Sequence, residues 1–251
     1  MKFYFRGREI HNKTEWKNAF CAAYKSNGDD IHWKEGRSGE RLAEDFIGIT
    51  SDGTSTIMEM VKRFLKTDNV FLDYAEIEHA SRFDCFPKPR MQDLAIWGEA
   101  EGKKVFIGVE AKVDESFGSK TIKEQRDYVN KLKEKGSSTQ ADKRLDKLVT
   151  DFLSGHEENN GVLRYQLLYY LAGSVREKDA NIVFMPVIVY KSNLYSEYKG
   201  KKNKDAYELF MRQLGFTNMP ELIKDKIELA FHKRLSVDGF IKDVYSCYIV
   251  K

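Results

Sequence analysis

Proline and cysteine are scarce, with four Pro and three Cys in 251 residues. Cys21, Cys85 and Cys247 are odd in number and widely separated. They offer no zinc-site spacing and suit a reducing cytoplasm. No Pro-, Gly- or Ser-rich linker and no internal repeat divides the chain, so one domain spanning residues 1–251 is the simpler expectation. There is no apolar run of about eighteen residues. Met1-Lys2-Phe3-Tyr4-Phe5 lacks the form of a secretion signal, so a soluble cytoplasmic chain without membrane contact is expected. The five histidines (His11, His32, His79, His156 and His232) show no paired ligand spacing. A Walker loop, a dinucleotide fingerprint and a nucleophile elbow are all missing, which sets aside three common enzyme classes.

Excess charge of one sign is also lacking. A net charge of +3 does not make the whole molecule an electrostatic magnet for nucleic acid. Charge is instead local. Ser119 to Lys147 carries nine Lys or Arg against five acids, and Lys191 to Lys204 carries five Lys against Glu197, with Tyr190, Tyr195 and Tyr198 interleaved. Such segments are candidate phosphate and base contacts, or simply solvated surface. Hydrophobic residues make up 41%, enough for a sizeable core.

Two apolar runs carry the chemistry. Asp93-Leu94-Ala95-Ile96-Trp97 and Val105-Phe106-Ile107-Gly108-Val109 flank a polar stretch containing Glu101-Gly102. A two-residue turn there makes a β-hairpin whose partners sum to 203, so Asp93 falls opposite Glu110. Alternation places Lys112 on the face of Glu110. Two carboxylates brought together repel, which calls for a cation between them. The plainer alternative is that these charges cap strand ends in solvent.

Asp93 followed by Glu110-Ala111-Lys112 on consecutive strands resembles the signature of the PD-(D/E)XK, or restriction-endonuclease-like, nuclease superfamily. Gln92-Asp93 departs from its common Pro-Asp. Upstream, Ser38 is a predicted N-cap of a helix with Leu42, Phe46 and Ile47 as its apolar stripe. Glu40 and Glu44 share one face of it. Such nucleases often draw a further acid from this helix; Glu44 fills that place here, with Glu40 and Glu78 as competitors. Either helix acid could equally pair with Arg37 or Arg41. Downstream, Gln166 and Tyr170 lie one turn apart on a predicted helix, similar to the Gln-x-x-x-Tyr of the RecB-like exonuclease branch. The segments Gly36-Arg37-Ser38, Glu110 to Gly118 and Arg164 to Leu168 together look like an uncharacterised bacterial branch of the superfamily, over roughly residues 33–190.

The resemblance implies an α/β fold, a mixed sheet flanked by helices with core order α-β-β-β-α-β, with additions at 1–32 and 191–251. It also implies Mg²⁺ or Mn²⁺ held by Asp93, Glu110 and the Ala111 carbonyl, with Lys112 orienting water at a scissile phosphate. Glu44 would assist catalysis, and Gln166, Tyr170 and Arg37 would position substrate. The expected partner is nucleic acid, DNA before RNA, with a homodimer left open. Two other classes stay open: an inactive binding protein on this fold, and an enzyme acting on a small phosphate ester.

The remaining pattern predicts strands at Lys2–Arg8, Val70–His79, Ile182–Tyr190 and Asp243–Val250. It predicts helices at Thr14–Tyr24, Arg37–Gly48, Ser55–Lys66, Ile122–Lys135, Ala141–Leu153, Val162–Val175, Asp205–Leu214 and Met219–Ala230. Pro186 within its strand suggests an edge or a bulge.

Overall fold

A computed structural model describes residues 1–24, 33–49, 51–153 and 157–251. Of the expected features, His32 and His156 lie outside the described residues. The chain forms an α/β structure in which one mixed sheet of nine strands is flanked by seven α-helices, counted among the described residues.

The first strands are β1 (Lys2–Phe5) and β2 (Arg8–Ile10), joined by a turn at Arg6-Gly7 where both residues have positive φ. Three helices follow: α1 (Lys13–Tyr24), α2 (Ser38–Ile47) and α3 (Gly53–Leu65). Three antiparallel neighbours come next: β3 (Val70–Ser81), β4 (Arg90–Ala100) and β5 (Lys103–Lys112). Then come α4 (Ile122–Glu134), α5 (Ala141–Leu153), α6 (Tyr165–Val175) and β6 (Ile182–Val189), which pairs in parallel with β5. The chain closes with α7 (Glu197–Gln213), β7 (Thr217–Asn218), β8 (Ile227–Val237) and β9 (Phe240–Val250). The strand order is β2-β1-β3-β4-β5-β6-β9-β8-β7.

Alternation along the strands feeds two cores. Val105, Ile107 and Val109 of β5 pack beneath α1–α3, where Trp16, Leu42, Phe46, Ile57 and Phe64 are buried. Phe106 faces the other way, beneath α4–α7, with Leu145, Leu167, Leu171 and Phe210. β6 is buried along its whole length, as a central strand covered on both sides must be.

Pro186 therefore corrects the edge-or-bulge expectation. Its strand lies between β5 and β9, and Pro186 pairs with Cys247. Proline cannot donate to the ladder, and the β5–β6 pairing is interrupted between Ile107–Phe184 and Glu110–Val187. The Tyr170 hydroxyl fills the gap. It donates to the Gly108 carbonyl and lies 3.1 Å from the Pro186 oxygen.

The helix expected over Met219–Ala230 is also overturned. A short 3-10 turn at Pro220–Leu222 leads into strand β8. Leu229 packs with one core and Ala230 with the other, the alternation of a strand covered on both faces. Asp238-Gly239, with φ of 51° and 84°, turns β8 back into β9. Elsewhere the expected elements shift modestly. Arg37, not Ser38, is the N-cap of α2 and makes no side-chain capping bond. Lys2–Arg8 is two strands, and α7 starts eight residues ahead of the Asp205 expected for it.

Candidate active site

The β4–β5 turn falls at Glu101-Gly102, with φ of 50° and 70°. Pairs from Ala100–Lys103 to Leu94–Val109 keep the predicted register. Asp93 thus stands opposite Glu110, one rung beyond the last bonded pair. On the other side of β4, Ile77–Leu94 and His79–Gln92 place Glu78 opposite Asp93. Three acids therefore align laterally across three adjacent strands: Glu78, Asp93, Glu110.

The pleat slips phase at this rung. Ile77 and Leu94 belong to the α1–α3 core. The next pair turns to the opposite side: His79 rests edge-on against Trp97, and Gln92 donates to Ser174 of α6 at 3.2 Å. Glu78 sits in left-handed backbone with φ 50°, uncommon for a non-glycine residue and costly by about 1 kcal/mol or more. The slip carries Arg90 onto α6 as well, over the Tyr170 ring and in contact with the Glu110 carboxylate. Gly108 lets α6 approach closely here. A Cβ on it would lie 2.8 Å from Ser174 Oγ.

Glu110 is the hub. Its carboxylate accepts from Arg90 and, at 2.8 Å, from Gln166 Nε2; Lys112 Nζ lies 2.7 Å away. Asp93 Oδ2 accepts from the Ala111 amide at 2.7 Å, and Glu78 Oε2 from the Tyr24 hydroxyl at 2.7 Å. Glu78 Oε1 and Asp93 Oδ1 have no hydrogen bond among the described residues. These groups line a pocket of about 300 Å³ at the end of the strands. Arg37, Ser38 and Glu115 also line it, and Trp16, Phe20 and Tyr24 of α1 wall it.

Electrostatics separate the three acids. Burial, then the Glu110 charge, pushes Asp93 up to about 7 against the pull of Lys112 and Arg90. Burial, then Asp93, holds Glu78 well above the carboxylate range. For Glu110 burial acts in the same direction, but Arg90 and Lys112 more than offset it and hold the group low. Lys112 loses charge stability by burial and regains more from Glu110 and Asp93, so it stays protonated.

Of the residues singled out in the sequence, Asp93, Glu110, Lys112, Gln166 and Arg37 meet at this pocket. Glu44 does not. It pairs with Lys13 at 2.6 Å and Arg41 at 2.9 Å, while Glu40 takes Lys13 at 2.8 Å and the Gly36 amide at 2.6 Å. Both face away from the sheet end because Lys13 of α1 draws them, and Glu78 occupies the third acidic place. Tyr170 is buried with its hydroxyl on the β5 backbone, so it supports the strand from behind. Arg37 lies 3.7 Å from Asp114. Arg90 and Glu115 escaped the sequence reading. Glu115 accepts from Ser38 Oγ at 3.0 Å and the Val113 amide at 2.9 Å, tying α2 to the end of β5.

Whether a divalent metal suits these residues turns on the donors. Three carboxyl groups stand with two buried cations, and the carboxyl donors are hard oxygens of the kind Mg²⁺ and Mn²⁺ take. As they stand, no group of three His, Cys, Asp or Glu among the described residues converges to hold a metal. Glu110 is turned to Arg90 and Lys112. The chemistry of the donor set fits an ion; the Glu110 carboxylate would have to be shared between that ion and Arg90 and Lys112.

The basic segments are neutralised in part, the Lys191–Lys204 segment more completely than Ser119–Lys147. Arg126 pairs with Asp146, Lys133 with Asp142, Lys199 with Asp114, Lys201 with Asp205 and Lys204 with Glu228. No helix among the described residues is long and apolar enough to cross a membrane.

The family described as a domain of unknown function (DUF6946) matches residues 10–234, and the chain belongs to that family. No curated protein and no solved structure matches the chain.

Proposed function

We propose that this chain is a metal-dependent phosphodiesterase acting on nucleic acid, DNA before RNA, on a restriction-endonuclease-like core. The supporting topology is α2, the antiparallel run β3-β4-β5, then α6 and the parallel strand β6. The observation that carries the reading is the lateral row Glu78–Asp93–Glu110 with Lys112 and Gln166 on its last acid.

Asp93 and Glu110, with Glu78 in place of Glu44, would hold Mg²⁺ or Mn²⁺. Such an ion supplies Lewis acidity toward a phosphodiester oxygen. The chain's own residues do the rest. Lys112 keeps its proton and spends one N–H on Glu110, which leaves others for a water or a phosphate oxygen. Gln166 fixes the rotamer of Glu110 from α6. Arg37, at the pocket mouth, offers a guanidinium to a neighbouring phosphate.

One observation favours a narrower substrate. With α1 walling a pocket of about 300 Å³, the described residues leave room for a strand end or a small phosphate diester. The assay therefore includes single-stranded, double-stranded and branched DNA, RNA, and a small aryl phosphodiester, each with Mg²⁺ and Mn²⁺. Wild type is expected to cleave at least one of them only when the ion is present, and Lys112→Ala to lose about 10² or more of that rate. Cleavage unaffected by Lys112→Ala contradicts the mechanism. Absence of cleavage on every substrate contradicts the activity.

A further inference from the structure

At the opposite end of the same strands lies a second and larger cavity, of about 660 Å³. Its character is unlike the first. Tyr74 and Trp97 stack with ring centroids 4.8 Å apart and planes 12° apart, and His79 closes the corner edge-on to Trp97 at 4.9 Å. Tyr74 is exposed, and Trp97 and His79 are only partly buried. Large apolar rings left open in a concave wall are uncommon in a surface with no partner.

Carboxylates rim this wall. Asp73 flanks Tyr74, Glu99 comes from β4, and Glu177 and Asp179 come from the loop after α6. None of these four makes an ion pair among the described residues, although most acids of the chain do. Glu76 pairs, among the described residues, only with His79. Lys104 is the sole Lys or Arg in the lining among the described residues. Partial burial, then Glu76, Glu177 and Asp73, holds the Tyr74 hydroxyl above its ordinary value, in keeping with the acids that rim the wall. Their negative field repels phosphate, so the cavity is no extension of a nucleic-acid track.

We propose that this cavity binds an organic cation, an alkylammonium or guanidinium group, seated against Trp97 and Tyr74 and neutralised by the Asp73, Glu99, Glu177 and Asp179 carboxylates. Ring faces attract such cations through their quadrupole. A guanidinium adds planar stacking and forked pairing to the carboxylates. The strongly hydrated inorganic cations gain little from aromatic walls, which sets the ligand class apart from a metal. The site stands independently of the hydrolytic reading, because it shares no residue with the acid row.

The test titrates the full chain with two probes, spermidine and a capped Gly-Arg-Gly-Arg-Gly peptide. It follows the indole N–H resonances of Trp16, Trp33 and Trp97, assigned with Trp97→Phe. The expected result is a saturable shift confined to Trp97, weakened about tenfold or more in Glu177→Gln/Asp179→Asn. Asp179 is exposed and Glu177 half-buried, and unchanged indole shifts of the free variant verify that its fold is retained. Preference for the peptide assigns a polypeptide source; preference for spermidine assigns a free polyamine. A silent Trp97 with both probes, or equal affinity in wild type and double variant, overturns the proposal.

Discussion

Strands β3, β4 and β5 carry carboxylates at both ends, and the two ends treat them in opposite ways. At one end Glu78 and Glu110 are buried, and Arg90 and Lys112 are buried with them. At the other, Asp73, Glu99 and Asp179 stand in solvent with no ion pair among the described residues. The difference follows from the solvent. A charge removed from water must be paired or neutralised, whereas exposed acids are screened and can remain together at modest cost. Compensation at the buried end is thus imposed by physics. What physics does not impose is the choice to bury Glu78 and Glu110 and to set half-buried Asp93 between them, which is why that end reads as a site.

The comparison breaks most readily at Arg90. Arg90→Leu removes a buried partner of Glu110 and should destabilise the protein by about 3–5 kcal/mol. Adding Glu110→Leu should recover much of that loss, measured by denaturant unfolding. A small effect of Arg90→Leu alone would mean that Glu110 is neutralised by other means.

Asp93 sharpens it next. Its pKa is raised in the folded state above the unfolded carboxyl value, so the folded state holds that proton more tightly. The group therefore imposes no penalty below the unfolded pKa near 4, and a growing one as pH rises from there to about 7. In metal-free protein, Asp93→Asn should raise Tm more at pH 8 than at pH 5. A Tm difference independent of pH across that window would show that Asp93 ionises normally.

The smallest effect belongs to the exposed end. Asp179→Asn should change stability by less than about 0.5 kcal/mol, as for surface substitutions generally. A larger change would mean that the rim acids are held structurally, not left open.

Much of the buried end was legible in the sequence because the Glu101-Gly102 turn fixes the β4–β5 register. Once the turn is placed, Asp93 and Glu110 must be opposite. Arg90 was illegible for a definite reason. Strict alternation assigns it and Gln92 to the face of Leu94, and only the phase slip beside Glu78 turns them toward α6. Glu44 was preferred to Glu78 because the resemblance implies an acid from the helix before the sheet, and nothing in the sequence reveals that Lys13 occupies it. Pro186 was read as an edge signal since nothing local announces that Tyr170, sixteen residues earlier, replaces its missing N–H. The β8–β9 hairpin was readable and was passed over: Asp238-Gly239 between alternating runs is a strong turn signal, but the apolar residues of 219–230 also fit a helix.

The central claim is that the row Glu78–Asp93–Glu110 takes a divalent cation. Calorimetric titration of wild type, Asp93→Asn and Glu110→Gln with Mn²⁺ tests it most directly. The account predicts saturable binding by wild type and affinity lower by about tenfold or more in each variant, with folding retained. Equal affinity in all three, or no binding by wild type, would contradict it and leave the row a charge-compensated structural cluster.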